Sequence, residues 1–217
     1  MREVTLERNT NETQIELNLN LDGAGRYEVD TGCGFLNHML ELFARHGRFD
    51  LVLTCHGDVE VDYHHTTEDV GIALGQAFAR ALGDMRGIQR YGSFHLPMDE
   101  ALVLCAVDLS GRCTLNWDIR CQTEKVGDFD VECVKEFWYG FARSVPATVH
   151  FVQFAERTTG GQFIGRNRSQ GTCHIGFLHC SVTYHHHFIQ CLRIFFQCYL
   201  NVLLAAHCNG LRDITDK

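Results

Sequence analysis

The amino-acid sequence predicts an α+β fold built from two βαββα-type halves, the second incomplete or atypical. Three observations carry the prediction. Strand-like alternation leads into helical spacing twice in the first half of the chain. Strand-like runs resume after residue 100 and again lead into a helix. Phe43-Ala44-Arg45 returns as Phe141-Ala142-Arg143, an offset of 98 residues. Matching order and spacing point to a duplicated unit rather than a chance triplet.

Residues 13–20 (TQIELNLN) alternate apolar and polar, the period of a half-buried strand, and Gly23-Ala24-Gly25 marks a turn. From Phe35 the apolar positions Phe35, Leu36, Met39, Leu40 and Phe43 follow helical spacing until Gly47 closes the helix. Residues 50–54 (DLVLT) and 59–63 (VEVDY) read as strands, and 66–85 as a second helix with Val70, Leu74, Ala77, Phe78 and Leu82 on one face. Further on, 101–107 (ALVLCAV) and 113–119 (CTLNWDI) read as strands and 131–143 as a helix. The run 146–154 (PATVHFVQF) is the strand that answers DLVLT. Elements mixed in this way specify α+β rather than a doubly wound parallel sheet. The chain divides into a first half at 1–92, the start of a second half at 93–155, and a tail of different character at 156–217.

Composition narrows the function. With 217 residues, 45% of them hydrophobic, the chain can bury a substantial core. A formal charge of −8 argues against nucleic acid as partner, since phosphate backbones select a concentrated basic face. No run approaches the roughly 20 apolar residues of a membrane span. The opening MREVTLERNTNETQ carries charge where a secretion signal would be apolar. Eleven cysteines without a CxxC pair suit a reducing cytoplasm better than a disulfide framework. Thirteen histidines, several in runs, suggest ligands.

The sharpest local feature is Asp62-Tyr63-His64-His65-Thr66-Thr67-Glu68-Asp69. On a helix His64 and Glu68, four apart, share a face and could hold one transition metal. His65 diverges by about 100° and so cannot reach that ion from the same helix, which suggests two metals completed from elsewhere. A polar helix start explains the same residues, with Thr66 as cap and Glu68 and Asp69 favoured by the helix dipole. His38, on the polar edge of the first helix, is a further ligand candidate, although a histidine there often only satisfies a core edge. Glu136 stands 98 residues beyond it, as a pseudo-twofold pair of metal sites requires. Mixed imidazole and carboxylate ligands suit Mn²⁺, and a nitrogen-rich set also accepts Zn²⁺ or Fe²⁺.

The blocks GFLNHMLELFARHGRFDL, DYHHTTEDVGIALG, QRYGSFHLPMDEALV and AVDLSGR, with the opening ERNTNETQIELNLNLDG, resemble signature stretches of imidazoleglycerol-phosphate dehydratases. The resemblance runs from about residue 2 to about 155. It implies a duplicated subunit of the ribosomal protein S5 domain 2-like fold, trimers assembled into an octahedral shell, and Mn²⁺ at subunit interfaces. It also implies roles: His38, His64, His65 and Glu68 as first-half manganese ligands, with Glu136 supplying a counterpart. His38 and His64 would thereby touch the substrate's imidazole. Glu12 matches a catalytic glutamate near the substrate, and Arg90 and Arg112 match phosphate-binding arginines, though each arginine also fits a solvated strand end. The reaction implied is dehydration of imidazole glycerol phosphate to imidazole acetol phosphate.

The tail departs from this pattern. A second His-His-x-x-Glu is expected near residue 160, where the sequence has Thr159-Gly160-Gly161-Gln162. His186 and His187 arrive about 25 residues late, with Gln190 in the glutamate position. Either an insertion displaces a decayed metal motif to His186 and His187, or the tail is foreign sequence of the kind a shifted reading frame produces. Competing expectations are therefore an impaired or inactive subunit of the same fold and a dinuclear metal hydrolase.

Overall fold

The computed structural model describes residues 2–86, 88–98, 101–120 and 124–155. Strands β1 (Glu3–Asn9), β2 (Thr13–Asn20) and β3 (Tyr27–Asp30) precede helix α1 (Gly34–Gly47), strand β4 (Asp50–Gly57) and helix α2 (His64–Leu82). The plan then restarts with β5 (Tyr91–Met98), β6 (Ala101–Asp108) and β7 (Thr114–Asp118). A short hairpin, β8 (Lys125–Val126) and β9 (Phe129–Asp130), leads to α3 (Glu132–Ser144) and β10 (Thr148–Ala155).

Two four-stranded sheets result, ordered β1-β2-β4-β3 and β5-β6-β10-β7. Their registers coincide. Leu51 of β4 lies between Leu19 and Tyr27, and Leu19 also faces Val4. In the second sheet Val149 lies between Val107 and Leu115, and Val107 faces Gly92. Val4, Leu19 and Tyr27 thus map onto their counterparts by an offset of 88, and Leu51 by 98. The ten-residue difference is the β8–β9 hairpin, whose tight turn uses Gly127 at φ 65°. The repeat expected from the sequence is real, and α1 and α3 are its equivalent helices.

The repeating unit carries more strands than βαββα. β1 escapes an alternation test because only Leu6 along it is buried, and β3 is four residues long. β5 and the hairpin also went unpredicted. The segment 59–63, expected to be a strand, is a turn: Val61 donates its N–H back to the Asp58 carbonyl at 2.8 Å. Its alternation is not burial, since Val61 is 69% exposed.

Apolar inner faces of both sheets close on the helices. Phe43 and Phe49 pack on Phe78 of α2, and Phe78 meets Phe141 of α3 edge-on at 5.5 Å, so one core spans both halves. Glycines let α2 and α3 lie backbone to backbone. A Cβ on Gly71 would come 2.3 Å from the Phe137 carbonyl oxygen, and one on Gly75 2.5 Å from that of Phe141. Among the described residues no helix is long and apolar enough to cross a membrane.

Candidate active site at the start of α2

One edge of the first sheet gathers the tip of the β1–β2 hairpin, the end of β4 and the first turn of α2. Thr13 pairs with Gly57 there. The Asp62 carboxylate accepts the His64 N–H at 2.8 Å and ends the preceding turn, and this bond holds Asp62 below the usual carboxylate range. The helix therefore begins at His64. Thr66 does not cap it, contrary to one sequence-based account. Thr66 is fully buried over Gly57, where a Cβ would come 2.1 Å from its hydroxyl oxygen.

The adjacent histidines diverge as helical geometry demands. His64 Nε2 faces the Glu132 carboxylate of α3 at 3.0 Å, and its Nδ1 lies 3.3 Å from Asp62. His65 Nδ1 lies 2.9 Å from the Asp58 carboxylate. That hydrogen bond raises the imidazole's pKa, with the charges of Asp58, Glu12 and Asp62 adding to it. A carboxylate on Nδ1 fixes the ring and leaves Nε2 as its second donor atom, the usual support of a metal-ligating imidazole. Glu68 follows His64 by one turn of α2, and Glu136 follows Glu132 by one turn of α3. The His64–Glu132 contact joins the two pairs.

His38 and Glu136 occupy equivalent places on α1 and α3 under the offset of 98, as the repeat requires. His38 is exposed. Glu12 stands exposed on the three-residue turn between β1 and β2, near enough for its charge to reach His65. Among the described residues no three His, Cys, Asp or Glu side chains converge on a point that could hold a metal. His186 and His187 lie outside the described residues, as does the segment near 160 where their motif was expected.

Arg90 and Arg112 form a separate cluster at an edge of the second sheet. Arg90 donates to both oxygens of Asp108, at 2.7 and 3.2 Å, and the carboxylate raises its pKa. Arg112 lies 3.8 Å from the same Asp108. Both lie beside one carboxylate at a strand end, and both stay largely exposed to solvent.

Sequence reasoning missed Glu132, Asp58 and the Nδ1 contact of Asp62. Each acid is unremarkable in sequence, and only the turn at 58–63 and the α2–α3 packing bring it to an imidazole. It also missed Tyr63, which donates its hydroxyl to Asp128 of the hairpin at 2.8 Å; the carboxylate raises the phenol's pKa. Phe129 packs between Phe35 and Tyr63, at ring-centroid distances of 4.8 and 6.2 Å. The insert of the second half therefore packs on Phe35 and on Tyr63, the residue that precedes the paired histidines.

The class is a duplicated α+β domain with paired histidines opening one helix. A family model for imidazoleglycerol-phosphate dehydratase matches residues 31–161. Enzymes of that name from Cereibacter sphaeroides and Koribacter versatilis are 55% and 56% identical over 150 residues, 69% of this chain and 77% of each relative. The crystal structure of the Staphylococcus aureus enzyme matches with a TM-score of 0.72 at 29% identity, covering 92% of this chain and 96% of that one. That from Pyrococcus furiosus matches at 0.68 and 28%, covering 90% and 91%. The chain belongs to the imidazoleglycerol-phosphate dehydratase family, hydro-lyases of histidine biosynthesis. The relatives described are all dehydratases, which favours dehydration over the hydrolase expectation.

Proposed function

We propose that this chain dehydrates D-erythro-imidazole glycerol phosphate to imidazole acetol phosphate, with Mn²⁺ as cofactor. The observation that carries the metal reading is the pair His64 and His65. Each imidazole opens α2 with a carboxylate on its Nδ1 side, and each faces a different direction. These donors fit a divalent ion. His64 with Glu68 would hold one ion, His65 would serve a second, and His38 and Glu136 would contribute from the equivalent helices. When bound, such ions would supply Lewis acidity that helps the substrate's imidazole ring give up its N–H proton.

The chain's own groups do the rest. Glu12 takes the proton from the carbon next to the one that bears the leaving hydroxyl. It returns that proton to the hydroxyl, which departs as water, so that the enol left behind rearranges to the ketone. Such proton transfers contribute about 10²–10⁴ in rate. Arg90 and Arg112 receive the phosphate dianion, because guanidinium forks match its oxygens and two of them share one carboxylate here. The same reading places the protein in the cytoplasm as a homo-oligomer, trimers joined into a larger shell. The five cysteines among the described residues are free, which suits a reducing compartment.

The test pairs elemental analysis with a dehydratase assay. The protein reconstituted with Mn²⁺ is expected to turn over, and His64→Ala to lose both metal and activity. Turnover undiminished by chelation, or unchanged metal content in His64→Ala, would overturn the metal assignment.

A further inference from the structure

Glu12 sits on a turn that has no apolar side chain to anchor it, yet a proton carrier has to be held within a fraction of an ångström of its target. The turn is tied instead to α2. Asp69 lies one turn beyond His65 on the same face of that helix, and it is buried. Its Oδ1 takes a guanidinium N–H of Arg8 at 2.8 Å. Its Oδ2 accepts the hydroxyls of Thr13 at 2.5 Å and Thr10 at 3.2 Å. Because the Thr10 proton goes to Asp69, its oxygen is left to accept, and it takes the backbone N–H groups of Thr13 at 2.9 Å and Glu12 at 3.2 Å. A relay runs from a carboxylate on the histidine helix, through one hydroxyl, to the main chain of Glu12. The other end of the turn is fixed too: Thr13 pairs with Gly57, next to the Asp58 that holds His65.

We propose that Asp69 is a positioning residue for Glu12, acting through Thr10 and Thr13 to hold the β1–β2 turn against the His65 face of α2. The inference rests on the dehydratase reading for its catalytic meaning, and on the hydrogen bonds alone for its geometry. The donor pattern is directional. Asp69 must accept from every partner, so an amide nitrogen in its place would set N–H against O–H or guanidinium. Thr10 must both give and accept, so serine can replace it and valine cannot.

The test uses the full-length protein loaded with Mn²⁺ and follows Asp69→Asn, Thr10→Val, Thr10→Ser, Glu12→Gln and the double variant Glu12→Gln/Asp69→Asn. Two measurements are made: steady-state kinetics, and hydrogen exchange of the peptide covering residues 7–16. Asp69→Asn and Thr10→Val are expected to lower kcat roughly tenfold to a hundredfold, the effect of a displacement near 1 Å. KM and bound manganese should stay unchanged. Exchange in 7–16 should rise about tenfold as the turn opens. Thr10→Ser should behave as wild type. The double variant should be no slower than Glu12→Gln, since a residue acting only through Glu12 has nothing left to position. Multiplicative losses in the double variant, or unaltered exchange in both Asp69→Asn and Thr10→Val, would overturn the proposal. Should the wild-type protein show no dehydratase activity, the functional reading fails, and the exchange experiment still decides whether Asp69 holds the turn.

Discussion

The corresponding edges of the two sheets carry the same framework and different charge. Leu21 donates its N–H to the Arg2 carbonyl at 2.9 Å, and Leu109 to that of Arg90, also at 2.9 Å, so Arg2 and Arg90 are equivalent positions. In the first half each arginine has its own carboxylate: Arg2 pairs with Asp22, and Arg26 with Asp50. In the second half Arg90 and Arg112 share Asp108. Among the described residues, the first edge sets two arginines against two carboxylates, whereas the second sets two arginines against one, beside the hydroxyls of Ser110 and Thr148, 3.4 Å apart. Duplication copied the backbone register, and divergence of side chains gave the two copies different charge. The insert differs in the same way, because β8–β9 belongs to the second half alone and packs on Phe35 and Tyr63 of the first.

Removing the insert's anchor should produce the largest effect. Phe129 is fully buried against Phe35 and Tyr63. Phe129→Ala is therefore expected to cost about 3–5 kcal/mol. Thermal unfolding would register it as a fall in Tm of roughly ten degrees. A shift under two degrees would mean that the hairpin is not a structural joint between the halves.

Next comes the seam itself. Gly71→Ala puts a methyl 2.3 Å from a backbone oxygen on the neighbouring helix, and neither backbone can turn aside as a side chain could. The helices must separate, at a cost of about 2–3 kcal/mol by the usual penalty for overpacking. Gly83, whose Cβ would meet nothing within 4 Å, tests strain rather than space, because it adopts φ 57°. Denaturant titration of Gly71→Ala alongside Gly83→Ala separates the two causes. An equal loss would show that close approach is not what Gly71 provides.

The charge contrast predicts a split in kinetics. Arg90→Ala should raise KM for the phosphorylated substrate tenfold to a hundredfold, about 1.5–3 kcal/mol for a charge-assisted contact, with metal content unchanged. Arg2→Ala, at the equivalent position of the neutral edge, should leave KM within twofold. Matching behaviour of the two variants would erase the distinction between the edges.

How much of this was legible in the sequence follows from what each signal reports. The helices were, because Leu36, Met39, Leu40 and Phe43 repeat at the period of the face they bury. The repeat was, because the offset of 98 spans α1 to β4 and α3 to β10 without interruption. The offset of 88 was not, since the earlier strands share register but almost no residue identity. His64, His65 and Glu68 were visible as a motif. Their partners Asp58, Asp62 and Glu132 were not, because an acid becomes a partner only through the turn or the neighbouring helix that delivers it. VEVDY misled for the converse reason: alternation predicts a strand only where one set of residues finds a core.

The smallest effect predicted belongs to the neutral edge and depends on pH. The Asp50 carboxylate accepts from the Arg26 guanidinium and from the N–H groups of Arg26 and Ala24, and these hold its pKa down to about 2. An unfolded aspartate titrates near 3.9. The folded state therefore releases the proton more readily than the unfolded chain does. That difference stabilises the fold fully above about pH 4 and disappears as the pH falls toward 2. Asp50→Asn keeps the shape and removes the titration. The gap in Tm between wild type and Asp50→Asn should accordingly be constant from pH 7 to 5, shrink between roughly pH 4 and 2, and be small throughout because Arg26 is largely exposed and screened by solvent. Since only the difference between the two proteins is read, the protonation of other carboxylates common to both cancels. A gap that persists at pH 2 would show that Asp50 stabilises the turn through hydrogen bonds that a neutral carboxyl keeps and an amide does not, rather than through its charge. The charge of the Arg26–Asp50 pair would then contribute nothing measurable to stability, and the contrast between the edges would rest on Arg90 and Arg112 alone.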